Sequence, residues 1–161
     1  MSFDLIHGLS PLAEKQAVRA IMECNKDTEK FGLVITEEQA VALNQKRNET
    51  LKSVGRIEFG GGIIDKLIYA FCDSMYIDKY QYAEQIGELT EIFYEYKNET
   101  LDMISDEEII DFMRKSFDGV CGGSLEMLAG TTLEKMARNV RHGLAPNYEE
   151  PTIEEEEADD Q

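Results

Sequence analysis

Apolar residues recur along most of the chain at intervals of three and four, the spacing that gathers them on one side of an α-helix. The first such run follows Ser10-Pro11, a capping residue and then a proline at the first helical position, where its missing N–H costs nothing. Leu12, Val18, Ile21 and Met22 share one side of the wheel, and Glu14, Lys15, Arg19 and Glu23 lie largely on the other. A first helix is therefore expected from there to about Phe31-Gly32. Leu33-Val34-Ile35 is too short to build a sheet, and Thr36-Glu37-Glu38-Gln39 fits the reciprocal capping box S/T-x-x-E/Q, which predicts a second helix as far as Val54-Gly55.

Arg56-Ile57-Glu58-Phe59 alternates apolar and polar, as a short strand or turn would, until Gly60-Gly61-Gly62 interrupts the pattern. Ile63, Ile64, Leu67, Ile68, Phe71, Cys72 and Met75 then fill a wide helical arc, which makes this third helix the expected central element. A fourth, from about Asp78, turns Ala83, Ile86, Leu89, Ile92, Phe93 and Tyr96 inward. Ser105-Asp106-Glu107-Glu108 is a second capping box and opens a fifth helix that stops at Asp118-Gly119. Cys121-Gly122-Gly123-Ser124 leads into a short helix and, across Gly130-Thr131-Thr132, into a last one ending near Gly143. No strand pair with hairpin chemistry is present. The expected fold is all-α, a compact bundle of about six helices in which sequence neighbours are mostly antiparallel. Residues 1–145 form its one domain, and residues 146–161 a disordered acidic tail with almost nothing to bury.

Composition narrows the picture. Of 161 residues, 42% are hydrophobic, enough for one core and too many for a disordered chain. No run approaches the roughly 18 apolar residues that span a bilayer, and the start MSFDLIHGL has neither a basic n-region nor a long apolar h-region, so a cytoplasmic protein without membrane contact is expected. Lys and Arg number 16 against 33 Asp and Glu, a net charge of −17 that repels phosphate backbones, and nucleic acid is not an expected partner. Residues 147–161 hold eight of those acids and no base. Cys24, Cys72 and Cys121 lie 48 and 49 residues apart, an odd number without a CxxC pair, which points to reduced, packed thiols.

Candidate chemistry is sparse. The N–H groups after Gly60, Gly61 and Gly62 could cradle an anion with Arg56 as countercharge, yet FGGGIIDK fits neither GxxxxGK[ST] nor GxGxxG, and a tight turn into the third helix is the simpler reading. Glu84, Glu88, Glu91 and Glu95, spaced 4, 3 and 4 apart, align four carboxylates on one face of the fourth helix. A di-iron bundle would need Glu-x-x-His on facing helices, whereas His7 and His142 sit near the ends, so no metal is expected and the stripe is a solvated face or a surface for a basic partner. Lys135, Arg138 and Arg141 form a basic edge at the negative end of the last helix, a surface that the acidic tail could mask. Around Cys121 and Ser124, GGSLE does not fit GxSxG, and Ser124 reads as an N-cap. No cofactor motif and no catalytic constellation is recognisable.

Three segments carry a family likeness: RIEFGGGIIDKLIYAFCDS, YKNETLDMISDEEIIDFM and FDGVCGGSLEMLAGTTLEKMAR. Their order resembles a family of small Firmicutes proteins classed as a domain of unknown function, over about residues 3–143. The resemblance implies a cytoplasmic bacterial protein and transfers no catalytic residue. The leading expectation is a non-catalytic module presenting an acidic, tyrosine-bearing helical face to another protein. The alternative is a small-ligand or anion site, possibly enzymatic, built from Arg56, Glu58, Gly60, Gly61 and Gly62, joined by Lys97, Asn98 and Glu99 if folding brings them near.

Overall fold

The structure, a computed structural model, describes residues 11–58 and 62–151. In chain order it contains α1 (Pro11–Glu23), α2 (Asn25–Thr28), a 3-10 turn (Glu29–Phe31), α3 (Glu37–Ser53) and α4 (Ile64–Phe71). After these come α5 (Tyr82–Glu99), α6 (Asp106–Asp118), α7 (Leu125–Ala129) and α8 (Thr131–Arg141). Six helices have eight residues or more and no strand occurs among the described residues, which is the all-α bundle expected. Both capping boxes form. Thr36 Oγ1 accepts from the Gln39 N–H at 3.1 Å while Gln39 Oε1 accepts from the Thr36 N–H at 2.9 Å. Ser105 and Glu108 repeat the exchange at the start of α6, and Ser124 Oγ accepts from the Met127 N–H at 3.1 Å to open α7.

Three elements depart from the pattern. The first helix breaks at Cys24, because the Asn25 side chain leaves the helix to clamp Ile35: its Nδ2 donates to the Ile35 carbonyl and its Oδ1 accepts from the Ile35 N–H, both at 2.9 Å. With Thr28 Oγ1 donating to the Leu33 carbonyl at 2.7 Å, residues 33–35 are held by side chains where a sheet neighbour would otherwise serve. Helix α4 is shorter than its apolar run and ends at Phe71, leaving Met75 84% exposed. Helix α5 starts only at Tyr82, since Gln85 caps the preceding turn by accepting from the Asp78 N–H (2.8 Å) and donating to the Tyr76 carbonyl (3.1 Å). Leu12, read as a core residue, is 67% exposed.

The centre of the bundle is α5, and not α4 as its apolar arc suggested. It packs against α3, α4, α6, α7 and α8, with Leu89, Phe93, Tyr94 and Tyr96 fully buried. Each such side chain contributes on the order of 1.5–3 kcal/mol. Gly87 allows α3 its close approach, since a Cβ there would stand 3.2 Å from Lys46 Cδ and 3.5 Å from Leu43 Cδ2. Phe71 and Phe117 meet edge to face at 5.5 Å, and the Tyr96 hydroxyl donates to the Leu128 carbonyl at 2.7 Å, tying α7 to α5. The Tyr82 hydroxyl is the buried side-chain group without a partner among the described residues, a desolvation cost that its well-packed ring offsets. Beyond Gly143 the chain turns back along α8, and Asn139 Nδ2 donates to the carbonyls of Pro146 (3.2 Å) and Tyr148 (2.9 Å). Residues 147–150 are exposed, and the rest of the acidic tail, 152–161, lies outside the described residues. No helix among those described is long and apolar enough to cross a membrane.

Candidate functional site

The buried stripe of α3 is Ala40, Leu43, Asn44, Arg47 and Leu51, which places an arginine where spacing calls for an apolar residue. Arg47 is 3% exposed. Its Nη2 lies 3.3 Å from Glu58 Oε1 and its Nε donates to the Tyr94 hydroxyl at 3.4 Å, while that hydroxyl donates to Glu58 Oε1 at 2.6 Å. Burial, then the adjacent Glu58 carboxylate, pushes the Tyr94 phenol above its ordinary pKa. Gly62, at φ +73°, lies directly over this cluster, and a Cβ there would come within 2.1 Å of Arg47 Nε. Glu58 and Gly62 thus close over an internal ion pair. Gly60 and Gly61 lie outside the described residues.

Beside this clasp, Arg56 Nε donates to Asn98 Oδ1 at 2.6 Å and Nη2 to both Asp102 carboxylate oxygens at 2.8 Å. Lys97 pairs with Asp106 and stands 3.9 Å from Asp102. Folding therefore brings Arg56, Lys97 and Asn98 together. Glu99 turns the other way, where Arg141 Nη1 donates to its carbonyl (2.7 Å) and to its Oε2 (3.3 Å). Leu101 and Asp102 are consecutive left-handed residues (φ 55° and 57°), a conformation costing roughly 1–2 kcal/mol per residue, and Asp102 meets Arg56 from this turn. Arg47, Tyr94, Asp102 and Asp106 were missed as members of the network. Arg47 alone carried a usable signal, a cation on an apolar stripe.

Elsewhere along α5, Glu84, Glu88 and Glu95 are exposed and Glu91, half-buried, pairs with Lys46 at 2.7 Å. Tyr94 and Tyr96 point into the core, so the expected tyrosines are absent from this face; Tyr80, 82% exposed, precedes it. Two hollows of about 470 and 600 Å³ meet at Val54 and Glu95. The first runs between α3 and α5 past Glu49 and Glu91; the second continues to α8 past Glu99, Glu134 and Arg138. Desolvation by the walls of the hollows, then the Glu91 and Glu99 carboxylates, raise the Glu95 pKa above the ordinary 4.5 although its surface remains exposed. Since the folded chain holds this proton more tightly than the unfolded one, ionisation of Glu95 weighs against the fold once pH rises above about 4.5. Glu95→Gln is expected to stabilise the protein near neutrality by about 0.5 kcal/mol, from two like-charge neighbours one turn away, and to change nothing near pH 3. Urea unfolding at both pH values checks this; a gain that persists in acid contradicts it.

Of the basic edge, Lys135 meets Glu149 at 3.4 Å and Arg141 meets Glu99, so among the described residues the returning segment meets one of the three cations. Cys24, Cys72 and Cys121 are free thiols, and burial raises the pKa of Cys24 and of Cys72, which disfavours thiolate chemistry. Cys121 is buried 3.4 Å from Thr132 Oγ1. Among the described residues no group of three or more His, Cys, Asp or Glu side chains could hold a metal ion.

No curated protein and no solved structure matches the chain. A family model does match, over residues 20–146, beginning later than the likeness read from the three segments and extending past Gly143 into the returning segment. By that match the chain belongs to DUF6323, a family of unknown function.

Proposed function

We propose that this protein is a non-catalytic, cytoplasmic interaction module that receives a basic segment of another protein along the groove between α3 and α5. The observation that carries the reading is Glu95, a carboxylate held between Glu91 and Glu99 at the junction of two hollows, without a basic partner among the described residues. A cation placed there relieves a repulsion already built into the fold, and Val54 and Ala42 offer apolar contact beside it. The net charge of −17 adds long-range attraction for a basic partner. The family likeness of the three segments supports a bacterial, Firmicutes source and a cytoplasmic location.

The anion-site alternative gains no support from the geometry, because Arg56 is engaged by Asn98 and Asp102 and Glu58 by Arg47 and Tyr94. A nuclear magnetic resonance titration of the full chain with a synthetic Lys-rich amphipathic peptide tests the interaction reading. Shifts are expected to concentrate on residues 45–54 and 91–99, to fade at high salt, and to shrink in the Glu88→Gln/Glu95→Gln variant, whose substituted positions are exposed. Shifts spread evenly over the surface, or unchanged in the variant, would refute it.

A further inference from the structure

A separate groove lies between α6, α7 and α8, floored by Phe112, Val120, Met127 and Met136, and the returning C-terminal segment crosses it. The segment fills it incompletely. A hollow of about 270 Å³ lies on one side of Pro146-Asn147 and one of about 430 Å³ on the other, both reaching Phe112 and Val120. Val120 remains 69% exposed and Tyr148 38% exposed.

The way the segment is held is informative. Asn139 is 8% exposed, and its amide nitrogen donates to the carbonyls of two residues spaced two apart, Pro146 and Tyr148. Both bonds read main chain, and the Tyr148 N–H closes on the Ala145 carbonyl at 3.0 Å, so it is a turn at Pro146-Asn147 that brings the two acceptors to one amide. The next contact reads charge: Lys135 Nζ meets Glu149 at 3.4 Å, with the two side chains 57% and 79% exposed, an arrangement of little strength. Gly143, at φ +77°, closes α8 with its N–H on the Val140 carbonyl at 3.0 Å and the Leu144 N–H on the Asn139 carbonyl at 2.8 Å, so the segment that can be displaced begins after Leu144.

We propose that this groove is a docking site for a segment of a protein partner that makes the same Pro-Asn turn and follows it with an aromatic residue and an acid, and that residues 145–150 are its built-in competitor. Asn139 fixes the main chain of the incoming segment, Lys135 selects the acid, and the apolar floor receives the aromatic side chain. The site does not involve the α3–α5 groove, and its failure would leave that reading untouched.

The test uses the full chain and a fluorescein-labelled synthetic peptide with the sequence of residues 144–151, LAPNYEEP, read by fluorescence anisotropy. A full-length variant with a weakened strap, Pro146→Gly/Tyr148→Ala/Glu149→Gln, is expected to bind the peptide saturably. The wild-type chain should bind it about tenfold more weakly or worse, since its own segment competes at high effective concentration. Added to the weakened-strap variant, Asn139→Ala should abolish binding and Lys135→Glu should weaken it severalfold. Lys135 is exposed, so the second substitution keeps the test readable should the first unfold the protein. Absence of binding to the weakened-strap chain, equal binding to both chains, or binding indifferent to Lys135→Glu would each overturn the proposal.

Discussion

Arg47→Ala is expected to lower the unfolding free energy by about 3 kcal/mol, the low end of what breaking a buried ion pair costs, since the Glu58 side chain is still 23% exposed. Two groups lose a partner together: among the described residues Glu58 keeps only the Tyr94 hydroxyl, and Tyr94 no longer accepts from Nε. The turn at Gly62, shaped to the guanidinium, would also face a void. The loss should come from the stranded carboxylate more than from any net strength of the pair. Arg47→Met combined with Glu58→Leu and Tyr94→Phe should therefore recover most of it. Urea unfolding followed by circular dichroism distinguishes the two. A triple variant as unstable as Arg47→Ala would mean that shape, and not charge, fixes the turn.

Gly123→Ala should be comparably damaging, and its neighbour supplies the control. Both glycines are left-handed, Gly122 at φ +53° and Gly123 at φ +84°. A Cβ on Gly122 meets nothing, so Gly122→Ala is charged only for its conformation, about 1 kcal/mol. On Gly123 the added carbon would stand 2.6 Å from Cγ and Cδ1 of Tyr76 and 2.8 Å from its Cβ, and the last of these is fixed by the backbone whatever the rotamer. Tyr76 cannot simply retreat, because its ring meets Phe117 edge-on at 6.0 Å, and the Gly123 N–H is bound to the Phe117 carbonyl at 2.8 Å. The total should reach about 3 kcal/mol once this overpacking is added. Thermal denaturation of the two single variants side by side is the check; equal losses would show that the turn relaxes freely.

Signals confined to one helix were legible in the sequence. Capping boxes at Thr36 and Ser105 fix helix starts because both partners lie within four residues. The carboxylate face of α5 follows from spacing alone, as does the inward direction of Ile86, Leu89, Ile92 and Phe93. Features set by distant residues were not legible. Nothing periodic announces that Asn25 will bind Ile35, so the break after Glu23 was invisible. Met75 continues the arc of Leu67 and Phe71, yet periodicity does not know where a helix ends, and the Ser74 hydroxyl instead donates to Asp118 at 2.6 Å in the turn after α4. The meeting of Arg56 with Asn98, 42 residues away, was conceivable only as a condition on folding. Arg47 marks the border between the two kinds: its place on the stripe was readable, its partners were not.

Because α5 is the element on which α3, α4, α6, α7 and α8 all converge, birth on the ribosome is lopsided. The translated N-terminal helices can pack α1 on α3 and α4, yet the sides of α3 and α4 that α5 covers stay open until residue 99 has cleared the exit tunnel. Throughout that interval the nascent chain is a natural client for chaperones, and a ribosomal pause before α5 would prolong its exposure to aggregation.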